Sequence, residues 1–501
     1  MLYFLHSSLV LFVIFSLSNF IKKKFKIDNS AKYLYSVLIL VLLTFTILKI
    51  TYLLNWELKL FLDYKLIVRI FFILVLIVSF LGIRKKNLNI TVSDYYFFIL
   101  YISICLFSYD RYFLDEDEFA FWGPKIKDYY HIDEIIWLKY NYYHQPFLTS
   151  WQIFNASFSD FSENLFIFAN NILLICGFFY LLGDIFSEKK KIQVNFVIYF
   201  FIFYLLLNNL SFGFVSIYAD TVLAVFAACI VKILFDNNLN KKNLILLLLL
   251  SLSIYFTHRI GVILLFIFTS YILLNFYFTY FNNKKINYVS LFLLLIILAL
   301  IFYSERFTVI FLFYSVLFLV LKNNFPKIDK TILFAFFILI ICFFRYFFYN
   351  QLEYSQTAFN LFNDIEFFFE IFKSYIFNLK KILLVDIYFS SFGTSINKII
   401  ELLLNQKKLI NTYQLNIFSW FVITIIFLIL HKRKKFIIFF VSYFLFYLLV
   451  VYIEKAFYQK LSFLVFSRYV SIFLLSFLLF LFLKKTNKYF LIFLLILNIS
   501  I

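Results

Sequence analysis

Four carboxylates stand side by side in the stretch LDEDEFAFWGPKIK, at Asp115, Glu116, Asp117 and Glu118. Adjacent carboxylates repel one another, which favours the protonated form of at least one of them. A carboxylate in this setting can act as the general base that removes a proton from a hydroxyl group. The same oxygens can instead bind a divalent cation, and the residue types do not separate a base from a metal ligand.

The residues that follow the acidic run extend its chemistry. Trp122 offers a flat aromatic face of the kind on which a sugar ring stacks, and Lys125 and Lys127 offer positive charge for a phosphate. The surrounding segment 111–163 also holds two of the chain's three prolines and three of its five tryptophans. Taken singly, these residues also fit a solvated helix end or membrane anchors. Gathered in one segment, they indicate a site rather than a connector.

Charged residues also interrupt apolar stretches elsewhere in the chain. Charges at membrane depth are unfavourable and tend to mark pathways or sites. Each of them also fits an ordinary ion pair between helices, or a side chain that reaches out to the membrane surface. These residues are Asp220, His258, Arg259, Glu305, Arg306 and Arg468.

Long apolar runs must position all of these residues. The chain has 501 residues, of which 64% are hydrophobic, and its mean hydropathy is +0.93. Runs of this kind predict an all-α fold, a polytopic bundle of transmembrane helices with about 12 to 16 spans. A membrane β-barrel would show short alternating strands instead. The net charge of +19 lies in short clusters between the runs, which is typical of a membrane protein and predicts no nucleic-acid partner.

The basic clusters define one alternating topology if all of them face the cytoplasm. The segment 111–163 then lies outside, as do 211–217, 350–412 and 454–460. The N-terminal stretch has no cleavage site and is expected to be a retained first helix. The spans are expected at 3–20, 31–54, 64–83, 93–109, 164–183, 192–210, 218–235, 243–257, 260–281, 286–303, 307–321, 331–349, 413–431, 436–453, 461–483 and 488–501.

Four regions follow from this topology. Residues 1–92 form the N-terminal helices, and 93–349 form a core that carries the acidic outer loop 111–163. Amphipathic surface helices are expected in the outer loops, at 123–143 and around IEFFFEIF within 350–412. Residues 413–501 form the C-terminal helices. A composition rich in Lys, Asn, Ile and Phe favours an AT-rich bacterial genome, and hence the bacterial cytoplasmic (inner) membrane, with the site facing the periplasm or the outside.

In chain order, short motifs resemble those of the GT-C-fold integral-membrane glycosyltransferases, the group that includes protein mannosyltransferases and aminoarabinose transferases. The motifs are DEDEFAFWGPKIK, YYHQPFLTSW, YADTVLA, THRIG and SRY, and they cover roughly 93–281 and the 460s. The chain departs from the family where HQP replaces a double proline and where Arg259 replaces an acid found in many relatives. It also has about three helices before the acidic loop, where relatives have one.

The resemblance implies an enzyme that moves a sugar, with inversion, from a polyprenyl-phosphate donor to a hydroxyl of a glycan, lipid or protein. Asp117 is the preferred base because it directly precedes EFAFW, followed by Asp115, Glu118 and Glu116. A divalent cation is the one cofactor left open. The residues implied in substrate binding are Arg259, Arg468, Lys125 and Lys127 for the lipid phosphate, Asp220 for hydroxyl groups, Trp122 for the sugar, and His144 and His258 for the cavity.

Other classes fit part of the pattern. A lipid-linked oligosaccharide polymerase or ligase relies on arginines and a histidine in a large late outer loop, and 350–412 contains neither. A transporter or flippase predicts two similar halves and charges near the bilayer midplane. In this chain no internal repeat stands out, and the charges lie at the outer rim. A structural membrane subunit would leave the concentration of unusual residues unexplained.

Overall fold

The computed structural model describes thirteen α-helices, and every helix or strand among its described residues is an α-helix. The all-α class expected from the apolar runs is therefore confirmed. The described residues are 2–58, 62–84, 90–113, 146–159, 162–183, 192–211, 213–214, 217–235, 241–257, 260–261, 264–265, 267–268, 365–384, 416–430, 434–457 and 463–484.

The helix ends agree closely with the expected spans. The spans expected at 64–83 and 192–210 are the helices Tyr64–Arg84 and Ile192–Leu210. In chain order the helices are α1 (Leu2–Phe25), α2 (Lys32–Leu58), α3 (Tyr64–Arg84), α4 (Val92–Ser108), α5 (Pro146–Asn155), α6 (Glu163–Leu181), α7 (Ile192–Leu210), α8 (Ala219–Phe235), α9 (Lys241–Thr257), α10 (Ile365–Leu383), α11 (Ile417–Leu430), α12 (Lys434–Phe457) and α13 (Phe463–Lys484).

The first helix is longer than the span expected at 3–20. It continues through the lysine cluster and ends at Phe25, followed by Lys26 in a left-handed conformation with φ 53°. Lysine is a good helix former, and positive charge in a last turn suits the helix dipole, so the cluster extends the helix. The spans expected at 286–303, 307–321, 331–349 and 488–501 lie outside the described residues.

Helices α6 and α8 form the centre of the bundle. Residues 165–181 of α6 and all of α8 are buried, and α2, α4 and α5 pack against α6 while α9 and α13 pack against α8. The two central helices run side by side in the same direction. Near their ends, Nζ of Lys232 donates hydrogen bonds to the carbonyls of Tyr180 at 2.8 Å and Leu181 at 3.0 Å. Gly177 allows the close approach, because a Cβ there would lie 2.3 Å from Cγ1 of Val225.

A buried helix lies within the segment 111–163, which the topology places outside. Helix α5 begins at Pro146, whose fixed φ suits a first turn, and residues 147–157 are buried. Nε1 of Trp151 donates to the carbonyl of Ala169 in α6 at 2.8 Å, so this tryptophan is part of the core. The amphipathic helix expected at 123–143 lies outside the described residues.

Two helices in the described residues are long and apolar enough to cross a membrane by length and composition, Tyr3–Phe25 and Glu163–Leu181. The remaining spans of the expected bundle stay a prediction. Apolar side chains also cover the outer faces of α3 and α4: Val78 is 68% exposed and Leu106 is 61% exposed. On α3 the exposed residues Leu66, Ile70, Ile73 and Ile77 recur every three or four positions, and so form one continuous stripe.

Candidate functional site

Asp220 and Arg468 are the two sequence-predicted site residues that lie in the described part of the chain, and the structure brings them together. They are 248 residues apart, and Nε of Arg468 donates a hydrogen bond to Oδ2 of Asp220 within an ion pair. In the sequence each of the two charges interrupts a separate apolar stretch. The other candidates lie outside the described residues: Asp115, Glu116, Asp117, Glu118, Trp122, Lys125, Lys127, His144, His258 and Arg259.

Helix α8 positions the carboxylate. Asp220 lies in its first turn, where the helix dipole favours a negative charge, and its side chain is 3% exposed. The next residue, Thr221, shares a hydrogen bond with the hydroxyl of Ser211, directly after the end of α7. This contact holds the start of α8 against the preceding helix, so the position of Asp220 is defined by the bundle.

Helix α13 positions the guanidinium. The guanidinium carbon Cζ of Arg468 lies 4.5 Å from the ring centroid of Tyr218, in the geometry of a cation–π contact. Tyr218 comes two residues before Asp220, so one short stretch provides both a carboxylate and an aromatic face for Arg468. The Arg468 side chain is 17% exposed, so the pair is buried but not sealed.

One oxygen of Asp220 is free. Its Oδ1 is buried and makes no hydrogen bond within the described ranges of the chain. Buried carboxylate oxygens normally have a partner, because leaving one unpaired is unfavourable. The pair therefore offers a hydrogen-bond acceptor next to a partly exposed cation. Such an arrangement can accept a hydrogen bond from a ligand hydroxyl and can balance the charge of a phosphate.

No protein-family model, curated protein or solved structure matches the chain. What the pair does must therefore follow from its own geometry and charge. Among the described residues, no group of three or more His, Cys, Asp or Glu side chains is placed to hold a metal ion. The acidic run 115–118, which the sequence offers as a cation site, lies outside them, so a cation there stays a prediction.

Buried amides accompany the ion pair. Nδ2 of Asn171 in α6 donates to Oγ of Ser108 at 3.0 Å and to the carbonyl of Phe214 at 2.8 Å, just before α8. In the preceding residue, Oδ1 of Asn170 accepts from Nε2 of Gln152 in α5 at 3.1 Å. Five buried amide atoms make no hydrogen bond in the described part of the chain. Three belong to α5 and α6, namely Oδ1 of Asn155, Nδ2 of Asn170 and Oδ1 of Asn171, and the other two are Nδ2 of Asn19 and Oδ1 of Asn29.

These amides and the ion pair lie at the same level of the bundle. The parallel packing of α6 and α8, with Gly177 against Val225, places Asn171 beside the first turn of α8. Oδ1 of Asp220, Nδ2 of Asn170 and Oδ1 of Asn171 therefore lie toward one end of the bundle, each without a hydrogen bond in the described residues. Asn170 and Asn171 are not among the residues predicted from the sequence, although two adjacent amides within an apolar helix are a signal of buried polar contacts.

A second buried ion pair was also missed. Nζ of Lys32 lies 2.5 Å from Oδ1 of Asp94, and both side chains are 0% exposed. The same oxygen accepts from the hydroxyl of Tyr33, while Oδ2 accepts from the backbone N at 2.7 Å and from Oγ1 at 2.8 Å of Thr91. Nζ of Lys32 also donates to Oδ1 of Asn19 at 3.0 Å. Both oxygens of this carboxylate are occupied, so the pair joins α2 to α4 and offers nothing to a ligand.

Proposed function

We propose that the chain is a membrane glycosyltransferase that moves a sugar from a polyprenyl-phosphate donor to an acceptor hydroxyl at the outer face of a bacterial cytoplasmic membrane. The observation that carries the proposal is the buried pair of Asp220 and Arg468, with its free Oδ1 and partly exposed guanidinium. A sugar phosphate has the matching groups, because it combines hydroxyl donors with a negative charge.

The distribution of polar and apolar side chains supports a membrane location. Large apolar residues are exposed in a stripe along α3, while both ion pairs and the amides are buried. Exposed apolar surface of this extent is unfavourable in water and is what a lipid-facing helix presents. Buried polar groups in the same molecule are expected of a membrane protein that carries a site.

Hydrogen bonds between helix ends support the proposed alternation of the helices. Lys32 at the start of α2 pairs with Asp94 at the start of α4, and both ends are assigned to the cytoplasm by the lysine clusters. The hydroxyl of Tyr35 donates to the carbonyl of Lys242 at the start of α9, which is also assigned to the cytoplasm. The ion pair of α8 and α13 joins two ends assigned to the outside. Moving one of these clusters to the opposite side would pair an inner end with an outer end.

In the proposed reaction the acceptor oxygen forms a bond to the anomeric carbon of the sugar. The bond from that carbon to the phosphate oxygen breaks, and polyprenyl phosphate leaves with the electron pair. The acceptor proton goes to Asp117, the preferred base in the acidic run. Oδ1 of Asp220 orients a sugar or acceptor hydroxyl, and the guanidinium of Arg468 balances the phosphate charge that grows as the bond breaks.

Sugar transfer by the purified full-length chain tests the proposal, with a panel of polyprenyl-phosphate sugars as donors. We expect wild type to consume at least one donor, and Asp117→Asn and Arg468→Lys to lose most of that activity. Arg111→Lys is the matched control, because the Arg111 guanidinium also lies 4.5 Å from an aromatic centroid, that of Phe107. Arg111→Lys should keep its activity.

Two outcomes would contradict the proposal. Wild type that consumes no donor in a broad panel would remove the enzyme function. If it instead moved the intact lipid between leaflets, the flippase alternative would replace the proposal. Equal losses of activity in Arg468→Lys and Arg111→Lys would show that the buried pair has no special part in transfer.

A further inference from the structure

Helix α10 has one face fixed on the bundle. The hydroxyl of Tyr375 donates to the carbonyl of Leu445 at 3.4 Å, and Oγ of Ser374 and the hydroxyl of Tyr452 are 2.8 Å apart. Nδ2 of Asn378 lies 3.4 Å from the same Tyr452 hydroxyl. These three side chains, on two successive turns of α10, fix its rotation about its axis against α12, so its opposite face is defined as well.

The opposite face carries large apolar side chains that the described protein leaves uncovered. Phe377 is 82% exposed and Ile376 is 57% exposed, and Phe372 and Leu384 are exposed beside them. An aromatic ring that exposed is unfavourable in water. Three such apolar residues on the helix, with Leu384 directly after its end, form a patch rather than a scatter of single residues. Something apolar is expected to cover this face.

Lysines are interspersed with the apolar side chains of the patch. Lys373, Lys380 and Lys381 are exposed on the same side of α10, and Glu370 is the exposed acid among its described side chains. Lysine can bury its methylene stem against lipid while the ammonium reaches the headgroups. A helix with apolar residues on one face and lysines next to them is typical of a segment that lies in the membrane interface.

We propose that this face of α10 lies in the bilayer interface and binds lipids with anionic headgroups. The apolar patch enters the acyl boundary, and the three lysines contact the headgroup phosphates. A second copy of the chain fits less well, because two copies of the patch would bring six lysines together. The proposal depends on the membrane location of the chain and is independent of the sugar-transfer chemistry.

Photo-crosslinking in the full-length chain tests this proposal. Benzoylphenylalanine replaces Phe377 in one variant and the buried Tyr375 in another, and the chain is reconstituted in equimolar phosphatidylcholine and phosphatidylglycerol. We expect lipid adducts from position 377, with phosphatidylglycerol in excess, and protein adducts with α12 from position 375. Mass spectrometry of the adducts gives the ratio of the two lipids.

A charge variant measures the anionic preference. Near an anionic membrane a lysine contributes about fivefold to binding. The triple substitution Lys373→Gln, Lys380→Gln and Lys381→Gln should therefore lower the phosphatidylglycerol excess at position 377 at least about fivefold. The three side chains are exposed, so the substitution should not affect folding. An unchanged lipid ratio would overturn the proposal, as would adducts of position 377 with a second copy of the chain.

Benzoylphenylalanine at Phe80 of α3 separates this proposal from the membrane location of the whole chain. Phe80 is 59% exposed on the apolar stripe, far in sequence from α10. Lipid adducts at position 80 without any at position 377 would reject the α10 surface and keep the membrane bundle. An absence of lipid adducts at both positions would reject the membrane location itself.

Discussion

The two buried ion pairs differ in how far their carboxylates are satisfied. Asp94 has hydrogen-bond donors on both oxygens and is fully enclosed with Lys32. Asp220 has a donor on one oxygen, and its partner Arg468 remains partly exposed. A buried charge is tolerated when its partners are complete, and an incomplete set at a buried site indicates that a further partner belongs there.

The two pairs also lie at opposite ends of α8. Asp220 is in the first turn of that helix, and Lys232 is in its last turn. Lys232 lies close to Gly183, because a Cβ added at Gly183 would be 3.3 Å from Nζ of Lys232. The same added Cβ would lie 2.7 Å from Oγ of Ser30, two residues before Lys32. At the end with Lys32 and Asp94, here called the closed end, the ion pair is fully satisfied, although Nδ2 of Asn19 and Oδ1 of Asn29 make no hydrogen bond in the described residues. At the other end the carboxylate of Asp220 itself keeps an oxygen without a hydrogen bond. We expect changes at the first end to affect stability and changes at the second to affect activity.

The largest effect is expected at Asp94. Asp94→Asn leaves the ammonium of Lys32 buried without its counter-charge, which should lower the free energy of unfolding by about 3–5 kcal/mol. The melting temperature of the full-length chain in detergent checks this. Transfer activity per folded molecule should stay close to wild type. The double variant Lys32→Met/Asp94→Leu is the control, because an apolar pair should recover most of the loss.

At Asp220 the pattern should be reversed. Asp220→Asn keeps the shape of the side chain but removes the charge that orients Arg468, and transfer should fall about a hundredfold to a thousandfold. The melting temperature should change less than in Asp94→Asn, because the partly exposed guanidinium can contact water. Sugar transfer and melting are measured on the same preparations. A variant that loses stability as Asp94→Asn does, with normal activity when folded, would make the two pairs equivalent.

Gly177 tests whether the two ends are coupled through α6 and α8. Gly177→Ala places a Cβ 2.3 Å from Cγ1 of Val225, and overpacking of this kind costs about 1–3 kcal/mol. If the helices separate, Asp220 moves relative to the amides of α6, so activity should fall together with stability. Val225→Ala in the same chain removes the clash and should restore both. Restored stability without restored activity would argue that the packing of α6 on α8 does not determine the activity at Asp220.

Much of the helical framework could be predicted from the sequence, because long apolar runs determine where helices begin and end. Helix α5 is an exception: Pro146–Asn155 is too short to be a span, and its polar side chains resemble a loop. It is held by tertiary contacts, such as that of Trp151 with Ala169, which a sequence pattern does not contain. The ten candidates outside the described residues stay predictions.

The sequence positions of the charges explain why one buried ion pair could be predicted and the other could not. Asp220 and Arg468 interrupt apolar stretches, so each could be chosen without knowing its partner. Lys32 and Asp94 lie at helix starts beside basic clusters, where charges are usually solvated. Their burial depends on how α1, α2 and α4 meet. Sequence position alone therefore separates a charge in an apolar stretch from one beside a basic cluster, and does not report how either is satisfied.

The smallest effect is expected at Lys232, which separates the role of a counter-charge from that of burial. Lys232 and Lys32 are both buried at the closed end, but Nζ of Lys232 donates to backbone carbonyls at the end of α6 and lies 5.1 Å from the ring centroid of Tyr180. Lys232→Met removes these hydrogen bonds and a favourable charge at a helix end. The free energy of unfolding should therefore fall by about 1 kcal/mol. Lys32→Met removes the partner of a buried carboxylate and should cost several times more. Equal losses in the two variants would mean that burial of the lysine stem, rather than satisfaction of Asp94, stabilises the closed end.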